Sequence, residues 1–189
     1  MKQMGFFFDQ TRCTGCYSCS VACKDWNNIQ AGVNWRKIEI LEHGRFPKLF
    51  LAYLSISCNH CENPSCLKAC PVEAITKRDS DGIVLVNPNK CIGKDECGAK
   101  CLKACPWDLP QFGNGKNPKM EKCNFCFERL EQGKQTICVE ACPMYALDAG
   151  SLEELRVKYG DINEAEGFKY IKNIGPCVLF KPKLYKIQK

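Results

Sequence analysis

Apolar positions along this chain come in short bursts broken by turn residues, and few bursts are long enough to make more than two turns of helix. Gly5–Asp9 and Gly82–Val86 read as short strands, the second closing on Asn87-Pro88-Asn89, a turn that delivers Cys91. Trp35–Leu41 and Lys48–Ile56 flank Glu42-His43-Gly44-Arg45-Phe46-Pro47, which predicts a β-hairpin with its turn over those six residues. Asn124–Gln132 and Leu152–Tyr159 suit helices, and Ser151 with Glu154 forms a capping-box pattern for the second. From Asp161 onward no period emerges, so the tail is expected to wrap the surface or a partner. No apolar run approaches the eighteen residues of a membrane span, and Met1–Phe8 lacks the regions of a signal peptide, so neither a span nor self-export is expected.

Composition changes this picture in one respect. At 45% hydrophobic and 25% charged the 189 residues are ordinary for a globular chain, but 17 of them are cysteine. Sixteen fall into four groups of four. Cys13, Cys16, Cys19 and Cys23 are spaced C-x2-C-x2-C-x3-C; Cys58, Cys61, Cys66 and Cys70 are C-x2-C-x4-C-x3-C. Cys91, Cys97, Cys101 and Cys105 are C-x5-C-x3-C-x3-C, and Cys123, Cys126, Cys138 and Cys142 complete the set. Each group ends C-x3-C, and Pro71, Pro106 and Pro143 follow three of the terminal cysteines. This is a fourfold repeat of a metal-binding unit. Three thiolates within seven residues let one loop curl over a cube of iron and sulfide with its N–H groups turned toward the sulfurs. A fourth cysteine after x3 points elsewhere, and in two-cluster bacterial ferredoxins it ligates the other cluster.

Two other chemistries compete. Zinc sites pair two C-x2-C knuckles, which only groups two and four approach. Disulfides need an oxidising compartment, and the remaining Cys177 makes the count odd; a buried free thiol is the simpler reading of it. The formal charge of +6 treats every cysteine as neutral. Four thiolate-bound 4Fe-4S cores would each add about −2, bringing the loaded protein to about −2. Nucleic-acid binding thereby loses its support. There is no nucleophile elbow, phosphate loop or dinucleotide fingerprint, and only two histidines, so catalysis by this chain is not expected.

The motifs Cys13-Thr14-Gly15-Cys16, Ala22-Cys23-Lys24, His60-Cys61-Glu62-Asn63-Pro64-Ser65-Cys66, Cys105-Pro106, Pro110-Gln111-Phe112, Lys122-Cys123-Asn124-Phe125-Cys126, Arg129, Gly133, Cys138-Val139-Glu140 and Cys142-Pro143 resemble the four-cluster electron-transfer subunits of the dimethyl sulfoxide reductase superfamily. The resemblance runs from about Phe6 to Ala149. It implies an α+β fold of two nested ferredoxin-like modules. The outer module would be residues 1–52 and 117–150 and the inner one 53–116, with a β-hairpin insertion and a C-terminal helix and extended tail over 151–189. It implies four 4Fe-4S clusters with exchanged fourth ligands: Cys13, Cys16, Cys19 and Cys142; Cys123, Cys126, Cys138 and Cys23; Cys58, Cys61, Cys66 and Cys105; Cys91, Cys97, Cys101 and Cys70. The implied partners are a molybdenum or tungsten bis-pterin catalytic subunit and a quinone-reactive membrane subunit or a soluble carrier. The subunit would be cytoplasmic, or membrane-associated through partners, or exported bound to a catalytic partner. The alternative is a polyferredoxin serving a tungsten aldehyde oxidoreductase or another anaerobic enzyme.

Some residues depart from the family pattern or admit two readings. Group three carries extra residues in its first two gaps, with Gly93-Lys94-Asp95-Glu96 inserted, and a full cluster there is still expected. Thr136 and Met144 stand where the family often has proline and threonine; neither is expected to touch a ligand. His60 either couples protons or packs beside a cluster. Trp26, Trp35 and Trp107 either line an electron route or fill space around clusters. Lys181, Lys183, Lys186 and Lys189 either dock an acidic partner or belong to a solvated tail.

Overall fold

The computed structural model describes residues 2–185. Its elements are, in order along the sequence, β1 (Met4–Asp9), α1 (Ser18–Trp26), β2 (Arg36–Arg45), β3 (Lys48–Ser57), α2 (Ser65–Ala69), β4 (Ile75–Lys77), β5 (Val84–Val86), α3 (Lys94–Cys97), α4 (Lys100–Lys103), β6 (Gln111–Phe112), β7 (Met120–Glu121), α5 (Phe127–Glu131), α6 (Ile137–Glu140), β8 (Leu147–Ser151), α7 (Leu152–Tyr159) and β9 (Val178–Lys181). This is an α+β mixture of short helices and small sheets. Among the described residues no helix is long and apolar enough to cross a membrane.

Three consecutive phenylalanines place β1 at the centre. Successive side chains of a strand face opposite sides, so Phe6 and Phe8 enter the main core while Phe7 faces the other way, against Leu152, Leu155, Cys177 and Leu179. There it stacks on Tyr159 of α7 at 3.7 Å between ring centroids. Both faces of the strand are covered, and both need an aromatic. On one edge β8 runs antiparallel, pairing Met4 with Ser151 and Phe8 with Leu147; on the other β9 runs parallel, pairing Phe6 with Val178. The Asp9 carboxylate accepts from the Thr11 hydroxyl at 2.5 Å and meets Lys181 Nζ at 3.2 Å, which pins that edge. Truncating Phe8, only 1% exposed, is expected to cost about 3–5 kcal/mol, read as a lowered denaturant midpoint of the Phe8→Ala protein under anaerobic conditions.

The aperiodic tail thus supplies an edge strand of the central sheet, which no pattern in the sequence announces. A four-residue strand buried on successive residues shows no alternation, and its parallel partner lies at the far end of the chain. Lys181 is tied to Asp9, and Lys183 donates to the Leu51 carbonyl at 2.7 Å, so these two lysines are anchored on their own subunit rather than freely solvated. Lys186 and Lys189 lie outside the described residues.

Four further expectations are corrected in detail. β2 and β3 pair continuously from Arg36 and Ser57 to Arg45 and Lys48, so the turn narrows to Phe46-Pro47 and residues 42–45 are strand. The backbone ladder needs no apolar side chains, and the polar, exposed tip hid it. The strand read from Gly82 begins at Val84, because Gly82 turns with φ +70°. The helix read from Asn124 begins at Phe127, because Phe125 and Cys126 are left-handed, at φ 62° and 48°. Helix α7 has the expected bounds, but Ser151 makes no side-chain cap and Glu154 instead approaches Lys2 at 3.6 Å. Ser151 is the last residue of β8, and the Leu152 N–H is taken by the Gln3 carbonyl at 2.7 Å.

Candidate metal centres

Short helices carry six of the thiols and loops the rest, and the pairing of the helices decides which thiols meet. Helix α1 packs on α6, and α2 on α4. Cys13, Cys16 and Cys19 share a cavity of about 310 Å³ with Cys142. Cys58, Cys61 and Cys66 share one of about 380 Å³ with Cys105, and Cys91, Cys97 and Cys101 one of about 350 Å³ with Cys70. The α1–α6 contact brings Cys23 beside Cys138 and Cys126, and Cys123 beside Cys23 and Cys126. In each set three thiols come from one group and one from another. Among the described residues no group of three or more His, Cys, Asp or Glu converges closely enough for a single metal ion; the thiols stand around a space instead.

The loops are shaped by backbone that most residues avoid. Gly15, His60 and Phe125, each directly before the second cysteine of a C-x2-C pair, have φ of 69°, 45° and 62°. In group three Gly98 and Ala99, directly after Cys97, are left-handed as well. Turns of this kind point successive N–H groups into one concavity, a recurrent anion and iron–sulfur cradle. The Phe125 N–H donates to Cys123 Sγ at 3.3 Å, and the Met120 N–H to Cys91 Sγ at 3.5 Å. After three terminal cysteines the proline turn repeats one geometry: Glu73, Asp108 and Tyr145 all have φ 49°. The N–H groups of Ala74 and Ala146 then donate to Cys70 and Cys142 at 3.3 Å each, and Leu109 does the same for Cys105. Cys23 lacks the proline, since α1 continues past it, and the Asn27 side-chain amide reaches its sulfur at 3.8 Å instead.

A Cβ on Gly15 would lie 2.4 Å from the Tyr53 ring. We expect Gly15→Ala to lose about 1–2 kcal/mol from left-handed strain alone and to release iron first from the Cys13, Cys16, Cys19 and Cys142 site. Metal-release kinetics followed by paramagnetic resonance check this.

The group-three insertion becomes α3, braced by Asn117. Its Oδ1 accepts from the Asp95 N–H at 3.1 Å, and its Nδ2 donates to the Ile92 carbonyl at 2.8 Å. The longer loop therefore closes on its own clamp and still presents Cys97 and Cys101 to the cavity. Thr136 and Met144 do come near cysteines, contrary to expectation. The Thr136 hydroxyl is 3.5 Å from Cys138 Sγ, placed there by the extended turn into α6, and Met144 lines the Cys142 cavity.

Comparison with known proteins agrees with this chemistry. A family model described as a 4Fe-4S dicluster domain matches residues 49–152. The B subunit of the anaerobic dimethyl sulfoxide reductase of Escherichia coli (strain K12) is 42% identical over 188 residues, covering 95% of this sequence and 89% of the relative. This protein belongs to the iron–sulfur electron-transfer subunits of the dimethyl sulfoxide reductase family. The thiosulfate reductase electron transfer subunit of Salmonella typhi is 37% identical over 160 residues, covering 83% and 80%. The formate dehydrogenase iron-sulfur subunit of Wolinella succinogenes is 36% identical over 171 residues, covering 79% and 82%. As a member of this family the subunit binds 4Fe-4S clusters and is an electron-transfer rather than a catalytic component.

The charges around the thiols fit such clusters. Burial pushes the Cys23 and Cys66 thiols up to about 12 and Cys101 to about 11, and raises Cys61 and Cys123 as well. Buried thiols so disposed become thiolates only when a metal supplies the opposing charge. Among the described residues, two buried cations without an acidic partner stand among them, besides Arg129, which pairs with Glu140. Arg36 hydrogen-bonds the Ser55 and Ser57 hydroxyls at 3.1 and 2.9 Å and lies over the Phe6 ring. Burial opposes its charge, but Cys138, Cys19, Cys123 and Cys23 around it raise its pKa. Lys122 donates to the Val84 and Cys123 carbonyls and lines the Cys58 cavity. Cations held by neutral partners suit anionic clusters on either side. In the sequence Lys122 is quoted within a motif and Arg36 is not singled out, because the burial of a basic residue does not show in an alternating strand or beside a cysteine.

The ambiguous aromatic residues resolve toward packing. His60 is fully buried, edge-on to Phe125 at 5.2 Å, with its Nδ1 accepting the Val84 N–H. Burial, then Lys122 and Arg36, hold it neutral, well below the usual histidine range. Trp107 stacks on Phe168 at 5.2 Å, Trp26 lies under Arg129 at 4.5 Å, and Trp35 Nε1 donates to Glu121 at 3.0 Å. Cys177 is a buried free thiol, 3.6 Å from the Gly175 carbonyl.

Proposed function

We propose that the subunit holds four 4Fe-4S clusters in a row and relays single electrons between a molybdenum or tungsten bis-pterin catalytic subunit and a quinone-reactive membrane subunit or soluble carrier. The observation that carries this reading is the assembly of four thiol sets, each with three cysteines of one group and one of another. The ligands are then Cys13, Cys16, Cys19 and Cys142 for the first cluster, and Cys23, Cys123, Cys126 and Cys138 for the second. Cys58, Cys61, Cys66 and Cys105 hold the third, and Cys70, Cys91, Cys97 and Cys101 the fourth. On the same reading the molecule divides into an outer module (1–52 and 117–150) enclosing an inner one (53–116), with 151–189 appended.

Neighbouring thiols support the order. Cys19 is coupled electrostatically to Cys138, Cys123 to Cys58, and Cys66 to Cys101, which supports the sequence one, two, three, four. Each bound cluster supplies one-electron chemistry at low potential. The protein's part is to keep the sites close, dry and charge-compensated: Arg36 faces thiols of sites one and two, while Lys122 lines site three beside Cys123 of site two. Cys16 is exposed, which makes the first site an entry or exit point for electrons.

The test is the complex that co-purifies anaerobically with this subunit. We expect about one molybdenum or tungsten per complex, and turnover with the physiological electron carrier that stops when this subunit is removed. A complex with no bis-pterin subunit, or one whose turnover with that carrier is indifferent to this subunit, overturns the proposal.

A further inference from the structure

Among the described residues, two buried side-chain nitrogen or oxygen atoms have no hydrogen-bond partner: Asn59 Nδ2 and His60 Nε2. Both are donors, and both belong to the two-residue gap between Cys58 and Cys61. They point to different places. The left-handed backbone at His60 turns its ring against Phe6 and Phe125. Asn59, 3% exposed, lines the cavity formed by Cys58, Cys61, Cys66 and Cys105. Its backbone is fixed from behind, since its carbonyl accepts the Cys177 N–H at 3.0 Å just before β9. A buried, unpartnered amide N–H on the wall of a cavity lined by four thiols lacks an acceptor until sulfur bears negative charge.

We propose that Asn59 Nδ2–H donates a hydrogen bond to a sulfur of the cluster held by Cys58, Cys61, Cys66 and Cys105, and raises the potential at which that cluster accepts its electron. This rests on the ligand set proposed above. The step moves one electron onto the cluster and breaks no bond; the proton stays on Nδ2, and the hydrogen bond strengthens as the sulfur gains charge. The neighbouring site offers the contrast. Ile92 stands at the matching place after Cys91, and that cavity is lined, apart from its cysteines, by apolar side chains such as Val72, Ile75, Phe112 and Met120. In group four the residue is again asparagine, but Asn124 Oδ1 accepts the Cys126 N–H at 2.9 Å, a turn-forming role. Among the described residues, the third cavity is thus the one lined by a buried amide donor with no partner.

The experiment is a redox titration of the anaerobic complex monitored by paramagnetic resonance, with the third-site signal defined as the one lost in both Cys58→Ser and Cys105→Ser. In Asn59→Leu, which keeps the shape and removes the donor, the reduced-to-oxidised ratio of that signal at fixed potential should fall about tenfold, a shift of about 59 mV. Asn59→Asp should fall further, and the other three signals should stay within about twofold. In the unmutated complex with nitrogen-15 asparagine amides, that signal should show a nitrogen-15 coupling. Full iron content with unshifted titrations in both variants overturns the proposal. If the leucine variant loses its cluster, the absence of nitrogen-15 coupling in the unmutated complex overturns it. Should Cys58→Ser and Cys105→Ser remove different signals, the ligand set itself fails and the proposal with it.

Discussion

Replacing Cys23 by serine should abolish the cluster proposed for Cys123, Cys126 and Cys138, and spare the one proposed for the group to which Cys23 belongs in sequence. Cys23 ends the first group, two turns into α1, yet the thiols that act on it most are Cys138 and Cys126, delivered by α6 and the loop before α5. Cys142 fills the vacancy in group one, held by the Ala146 N–H at 3.3 Å. The expected result is loss of one of four reduced-state signals and a fall from roughly sixteen irons to about twelve or thirteen, measured by iron analysis and paramagnetic resonance on the same anaerobic sample. The reciprocal variant Cys142→Ser should remove the other signal of the pair. Loss of the group-one signal in Cys23→Ser would mean that each group closes on itself, and the two halves of the outer module would no longer be tied together by metal.

The second large effect is expected at Arg36. A guanidinium only 2% exposed, hydrogen-bonded to two serine hydroxyls and surrounded by Cys138, Cys19, Cys123 and Cys23, is best accommodated beside anionic clusters. Arg36→Met leaves those clusters uncompensated and is expected to cost about 3–5 kcal/mol of stability. The electron added on reduction then meets no cation, so the signals of sites one and two should titrate on the order of 60 mV more negative, while sites three and four hold. Arg36→Lys should fall between. Equal shifts at all four sites would show that the variant loosened the fold rather than removed a local charge.

How far the sequence reveals this molecule depends on the length scale of the determinant. The cysteine spacing with its following prolines is a local pattern with a local cause: a proline-fixed turn that presents an N–H to the preceding thiolate, seen at Cys70, Cys105 and Cys142. Strand β1 and helix α7 are equally legible, since a run of phenylalanines and an amphipathic eight-residue stretch need no distant information. The failures are non-local. β9 is a strand only because β1 offers an edge some 170 residues earlier in the chain, and four buried residues carry no period. The cap at Ser151 fails because β8 claims the residue first. The burial of Arg36, Lys122 and Asn59 is not legible in sequence, although Lys122 falls within a family motif, because a polar residue announces its burial only through what surrounds it. Thr136 and Met144, which sequence alone marks as departures of no consequence, sit against Cys138 and within the Cys142 cavity.

The most direct test of the central claim is the iron, acid-labile sulfide and zinc content of this subunit, isolated anaerobically in its complex and corrected for iron carried by its partners. The account requires roughly sixteen irons and sixteen sulfides per subunit and no stoichiometric zinc. About four zincs with no sulfide would contradict it, as would iron and sulfide for two clusters only.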